Sequence, residues 1–188
     1  MKVNSVALKE WDSTIKVLAE GRQVILLRKG GIKEETRRFE LKSDSFYLYP
    51  TYEHQRPELV KEQDRHFVEQ SLSGFEPNAL TVKLTVYAEV AADLEIRDLE
   101  QLEKLSPYHM WSEGLAAERL RWKAKEPLHV LLLRVYTLEE PSEIEVLPEY
   151  SGCRSWIELS PPPELRPMKP VLDDEEFEAL CIEIKKAI

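Results

Sequence analysis

From Leu80 to Ile96 apolar and polar residues alternate, with Leu80, Val82, Leu84, Val86 and Ala88 on one side. That two-residue period is the signature of a strand, and its length predicts a bent one running through a barrel wall. Leu128 to Leu138 is its apolar counterpart. Arg22 to Arg28 is a short branched run ended by Gly30-Gly31, and Phe46 to Tyr49 is another ended by Pro50, so both read as strands. Shorter extended pieces are expected at Ile144–Leu147 and Ser155–Leu159, separated by the turn Tyr150-Ser-Gly-Cys153. Elsewhere the period lengthens: Ala7, Leu8, Trp11, Ile15 and Leu18 recur at helical spacing and Gly21 stands where a helix stops, which predicts a helix over 5–20. Further helices are expected at Glu62–Leu72, Arg97–Leu105, Ser112–Lys123 and Asp173–Lys186, the last with Phe177, Leu180, Cys181 and Ile184 on one stripe and acids at its start.

Strands and helices follow one another without a regular βαβ rhythm and without an internal repeat. The pattern predicts an α+β fold: a small curved mixed sheet or partly closed barrel, with inserted helices and a C-terminal helix. Residues 1–160 are expected to form one globular domain, 161–172 a proline-rich linker from Pro161-Pro-Pro163 to Pro170, and 173–188 an acidic C-terminal helix.

Composition narrows this picture. With 188 residues, 43% hydrophobic and 32% charged, the chain fits one globular domain and excludes fibrous and wholly disordered classes. Cys153 and Cys181 are too few for a secreted disulfide framework, Met1 to Trp11 lacks the apolar run of a signal peptide, and no apolar stretch approaches the ~20 residues that span a bilayer. The expectation is a cytoplasmic protein with no membrane partner. The net charge of −9 comes from the region after residue 70, whereas Arg22 to Lys42 and Arg119-Leu-Arg121-Trp122-Lys123-Ala-Lys125 are locally basic. An acidic total leaves room for an anionic partner, because binding follows the local potential of a face.

Two stretches combine residue types suited to such a partner. In Arg28-Lys29-Gly30-Gly31-Ile32-Lys33 a strand ends in cations and a glycine pair, which lets backbone N–H groups approach a phosphate closely; the same residues also fit a solvated hairpin turn. In Tyr49-Pro-Thr-Tyr52-Glu-His54-Gln55 aromatic planes can stack on a base while His54 and Gln55 read its edge; equally, these residues fit a barrel rim. His54 is the one candidate proton-transfer residue, its ordinary pKa lying near neutrality. Cys153 is expected to be a buried, inert thiol, and Trp11 and Trp156 to be core. Trp122 is the best aromatic in a basic setting, but helical amphipathicity predicts that it packs inward with the cations facing water. Asp173 with Glu183-Ile-Lys185 imitates a nuclease metal motif, yet lies in a helical pattern, and His54, His66, His109 and His129 have no metal-ligand spacing, so neither metal nor cofactor is expected.

Taken in order, Ala7-Leu-Lys-Glu-Trp11, Arg28-Lys-Gly-Gly-Ile32 with Glu34, Phe39, Tyr49-Pro-Thr51 with His54-Gln55, Pro127-Leu-His-Val130 and Tyr150-Ser-Gly-Cys-Arg-Ser-Trp156 resemble the bacterial family known as domain of unknown function 1802. That family has no established activity. Some of its members look joined to a restriction endonuclease domain, and the resemblance implies a place in restriction or defence beside an effector nuclease. More loosely, the succession of basic turn, aromatic loop and long strands is similar to the barrels of the PUA, ASCH and EVE group, which bind RNA or flipped modified bases. Gly31-Ile-Lys33 resembles the start of the ASCH pattern G-x-K-x-x-E-x-R, but Thr36 stands where that pattern has glutamate. The leading expectation is a module that recognises an unpaired or modified base in nucleic acid through Arg28, Lys29, Gly30, Gly31, Lys33, Tyr49, Tyr52, His54 and Gln55. The alternatives are a small hydrolase of nucleotides or modified nucleosides with His54 as base, and a protein-interaction or structural subunit.

Overall fold

The computed structural model describes residues 4–30 and 38–188. Seven strands and five helices follow in the order β1 (Val6–Trp11), α1 (Asp12–Ala19), β2 (Ile25–Arg28), β3 (Ser45–Thr51), α2 (Arg65–Ser73), β4 (Thr81–Ile96), α3 (Leu99–Lys104), α4 (Glu113–Arg121), β5 (Leu128–Glu145), β6 (Trp156–Glu158), β7 (Met168–Pro170) and α5 (Asp174–Ala187). One mixed sheet has the order β2-β5-β4-β3-β1-β6, with β7 added to β5, and among the described residues only the β1–β3 pair is parallel. The α+β expectation holds. Although the hydrogen-bonded ladder stays open, the sheet curls far enough for Arg28 on edge strand β2 to reach Glu10 on β1, at 3.1 Å.

The long strands form as their pattern demands. β4 and β5 pair from Ile96↔Leu128 to Thr81↔Glu145, with register shifts at Leu84/Val86 and Val90/Ala92. A bulge turns the strand's faces, and accordingly Leu84 lies in one apolar cluster while Val86 and Ala88 lie in the other. The pieces expected at 128–138 and 144–147 are one strand, β5. Pro141 falls where β5 runs past the Leu84/Val86 irregularity, so its missing N–H interrupts no pair there.

At the N-terminus the expected helix over 5–20 is replaced by a strand followed by a short helix. Ala7 and Leu8 are both fully buried, because β1 is hydrogen-bonded on both edges, to β3 and β6, and packs on both faces. A strand covered on both faces shows no alternation, and its apolar residues happen to continue the spacing of α1. The stop at Gly21 is real: with φ +70° it closes α1 through Gly21 N–H to Leu18 O (3.0 Å) and Arg22 N–H to Val17 O (3.3 Å), the two bonds of a Schellman cap.

The main core lies between the curled sheet and the helices, with Phe46, Leu48, Ile25, Val130, Leu132, Phe67 and Trp111 among its buried members. A smaller cluster of Ala7, Tyr47, Tyr49, Leu84, Leu138, Tyr150, Ile157 and Leu159 covers the other face. Residues 161–172 carry β7, and α5, opened by the Asp173–Glu176 capping box, sends Cys181 and Ile184 into the main core. Arg134 fastens this helix from β5, bonding Asp174 at 2.6 Å and lying 4.9 Å over the Phe177 ring. Among the described residues no helix is long and apolar enough to cross a membrane.

His109, in the segment between α3 and α4, is buried, and desolvation with Lys61 and Arg119 nearby lowers its pKa from 6.5 to about 3. The unfolded chain therefore binds a proton that the folded chain refuses between those values, so stability falls as pH drops through that window. His109 alone is expected to contribute about 2 kcal/mol less stability at pH 5 than at pH 7, at roughly 1.4 kcal/mol per pH unit below 6.5, while His129, raised by its bond to Asp93, works in the opposite direction; urea unfolding of wild type against a variant without His109 separates the two. The variant His109→Phe should lose most of that difference.

Candidate nucleic-acid interface

The end of β2 and the end of α4 are stitched together by reciprocal side-chain to backbone bonds. Lys29 donates its Nζ to Leu120 O, and Arg119 donates Nη1 to Leu27 O at 3.4 Å. Beyond them Trp122 Nε1 and Lys123 Nζ both donate to Gly30 O, at 3.4 and 3.1 Å. Two basic stretches some ninety positions apart in sequence thus become one surface. Arg97, just after the end of β4, joins it by donating Nη1 to Lys125 O at 3.3 Å. Burial, relieved in part by Glu126, lowers the pKa of Lys29.

Trp122 is 47% exposed within this surface, contrary to the inward packing that the helical pattern predicts. The physical reason is local: α4 ends at Arg121, Trp122 caps it with ψ 124°, and Lys123 takes φ +47°, so the indole leaves the helical stripe. Arg121 and Lys125 are exposed on either side of it. Acidic Glu126 is half-buried and engaged by exposed Arg38 at 3.2 Å.

Behind that surface lies a recessed charged group. The Glu10 side chain is only 3% exposed; its Oε2 accepts from Arg28 Nη1 at 3.1 Å and its Oε1 from Trp11 N–H at 2.9 Å. Arg28 also donates to Lys9 O at 3.2 Å and lies 5.9 Å over the Phe39 ring. The half-buried Arg119 stands over two indoles, 4.8 Å from the Trp111 ring centre and 5.6 Å from that of Trp11. Desolvation lowers the Arg119 pKa, with Glu10 opposing and Arg28 adding to the effect.

Tyr49 and Tyr52 belong to a different place. Parallel pairing sets Lys9 opposite Tyr49 and Glu10 opposite Pro50, and successive side chains alternate, so Lys9 and Tyr49 face one side of the sheet and Glu10 with Arg28 the other. On the Tyr49 side a cleft of about 680 Å³ is lined by Tyr49, Tyr52, Phe75, Lys9, Lys16 and Lys83, together with Asp12, Glu53 and Glu76. Tyr52 stacks on Phe75 with ring centres 4.5 Å apart, and burial, with Asp12 nearby, raises its pKa to about 12. The cations of this cleft are largely engaged: Lys9 donates to Tyr150 O (2.6 Å) and Gly152 O (2.8 Å), and Lys16 to Asp12 (2.6 Å).

The residues singled out from sequence are therefore divided. Arg28, Lys29 and Gly30 sit together at the β2 end, Tyr49 and Tyr52 share the cleft, and Gly31 and Lys33 lie outside the described residues. His54 is at a φ +68° turn, its side chain 80% exposed and 4.0 Å from Glu53, and it does not line the cleft. Gln55 is buried, its amide joining Ser13 N–H at 3.4 Å to Ser71 Oγ at 2.7 Å. Cys153, expected to be buried, is exposed beside Gly152 in the turn before β6, while Cys181 is buried. Among the described residues no group of three His, Cys, Asp or Glu side chains gathers as metal ligands do. Sequence reasoning missed Glu10, Arg97, Arg119 and Trp111; the basic stretch at 119–125 was the available signal for Arg119.

The chain belongs to the family described as Domain of unknown function (DUF1802), whose model matches residues 7–183. No curated protein matches it. Among solved structures it is similar to ASCH from Zymomonas mobilis, at 15% identity and TM-score 0.43 over 96% of each chain. A mutant form of ZmASCH from the same organism gives 15% identity and TM-score 0.43, covering 97% of this chain and 98% of that one.

Proposed function

We propose that this member of the DUF1802 family is a nucleic-acid recognition module, which takes single-stranded or locally unpaired nucleic acid along the surface of Lys29, Arg97, Arg121, Lys123 and Lys125 and stacks an unpaired base on Trp122. The observation that carries this reading is the exposed indole held among cations drawn from three separate parts of the chain. Cations along a surface track phosphates, and an aromatic plane among them gives stacking that every base can use. The overall acidity of the chain confines such binding to this face and keeps it short.

The cleft supports a complementary part of the same reading. Its volume lies in the range of small-ligand sites, roughly 300–1,000 Å³. Three lysines against three carboxylates leave the cleft lining balanced, which suits a neutral heterocycle better than a phosphate chain, so selectivity for a flipped or modified base is assigned to Tyr52 and Phe75. A partnership with an effector nuclease in restriction extends this proposal and rests on the family resemblance alone.

The test is a titration of short labelled oligonucleotides against wild type, the double variant Arg121→Gln/Lys125→Gln, and Tyr52→Ala. The charge variant should weaken binding of every single strand and reduce the salt slope by about 0.7 per lost phosphate contact. The Tyr52→Ala variant should alter base preference at an unchanged slope. An unchanged slope in the charge variant would remove the proposed face.

A further inference from the structure

Two guanidinium groups and one carboxylate make up the recessed group behind the basic face, and their bonding is unbalanced. Among the described residues Arg28 uses only Nη1, toward Glu10 and Lys9 O. Arg119 has there a single long bond, to Leu27 O at 3.4 Å, although a guanidinium carries five N–H donors. Trp111 is fully buried, and among the described residues its Nε1 has no acceptor. The guanidinium of Arg119 lies over that same ring. Among the described residues the site thus has one surplus positive charge and more donors than acceptors, an arrangement completed by an anion with several oxygens.

We infer that Arg119, Arg28 and Trp111 form a pocket for a phosphate monoester, the terminal phosphate of a strand or that of a free mononucleotide. Position selects the monoester over a phosphodiester within a strand. The Arg28 side chain is 15% exposed and the half-buried Arg119 lies against the Trp11 and Trp111 rings, a recessed position that favours a chain end over an internal phosphate with chain on both sides. A monoester also brings close to two negative charges and three free oxygens, which answer the two guanidinium forks. Arg119 lies beside the proposed strand path, because it bonds to Leu27 O while Lys29 bonds to Leu120 O. That the phosphate arrives on a strand rests on the nucleic-acid reading; the anion pocket itself does not.

The test compares a short oligonucleotide carrying a terminal phosphate with the same sequence ending in hydroxyls, alongside adenosine monophosphate, adenosine and inorganic phosphate. In a Trp122→Phe background the remaining indoles beside Arg119 report occupancy by their fluorescence. The phosphorylated strand should bind about tenfold tighter than the hydroxyl strand, and adenosine monophosphate, but not adenosine, should change the fluorescence. In Arg119→Gln both differences should vanish while affinity for the hydroxyl strand is kept. In Arg119→Lys, which keeps charge but loses the fork, they should be reduced; circular dichroism checks that each variant is folded. Strands that bind with no preference for a phosphate end overturn the pocket and leave the strand reading intact. A response to adenosine monophosphate or inorganic phosphate without binding of any strand upholds the pocket and overturns the strand reading.

Discussion

Replacing Glu10 by alanine is expected to lower folding stability by about 3–5 kcal/mol, the range for breaking a buried ion pair from one side. The Glu10 carboxylate is almost wholly shielded from water and is the acceptor for Arg28 and for the N–H of Trp11 where α1 begins. Without it, Arg28 and Arg119 lose the one carboxylate that acts on both among the described residues. Most of the cost comes from Arg28, the cation left without its direct partner. The double replacement Glu10→Leu/Arg28→Met should therefore recover most of the loss, since an ion pair exchanged for apolar side chains of similar size is often neutral or better. Urea denaturation of the single and double variants measures this, and a loss below about 1 kcal/mol in Glu10→Ala, the scale of an exposed pair, would mean that the pair does not hold β2 against β1.

The second large effect is expected at Trp122. Substitution by alanine should weaken binding of single strands by about 1–3 kcal/mol, some five- to 150-fold, which is the contribution of stacking one base. Folding stability should change little, because the side chain is 47% exposed and its one hydrogen bond among the described residues, to Gly30 O, is long at 3.4 Å. Trp122→Phe should retain most of the affinity, a rescue that identifies stacking as the cause. Fluorescence anisotropy with an end-labelled strand reads all three proteins. Equal affinity in wild type and Trp122→Ala would place the bases elsewhere.

How far the chain could be read in advance depends on whether each signal is local. β4 shows alternation and β5 a long apolar run, so their existence was legible, whereas their pairing through two bulges was not. β1 was unreadable as a strand because burial on both faces erases alternation, leaving Ala7 and Leu8 to join the helical spacing of α1. The basic stretches at 22–42 and 119–125 were visible, but that they would meet depends on Lys29 reaching Leu120 O and Lys123 reaching Gly30 O across 91 and 93 positions. The Arg28–Glu10 pair spans 18 positions and two strands that touch only because the sheet curls. Tyr49 and Arg28 looked like neighbours in one site because sequence distance does not record which face of a sheet a side chain takes.

The measurement that bears most directly on the central claim is a titration of the wild-type protein with a labelled single strand and its duplex at several salt concentrations. Recognition of unpaired nucleic acid by the basic face predicts saturable binding of the single strand, tighter than that of the duplex, with log affinity falling linearly against log salt at a slope equivalent to a few phosphate contacts. Binding that is insensitive to salt, or no binding of either form, would contradict it.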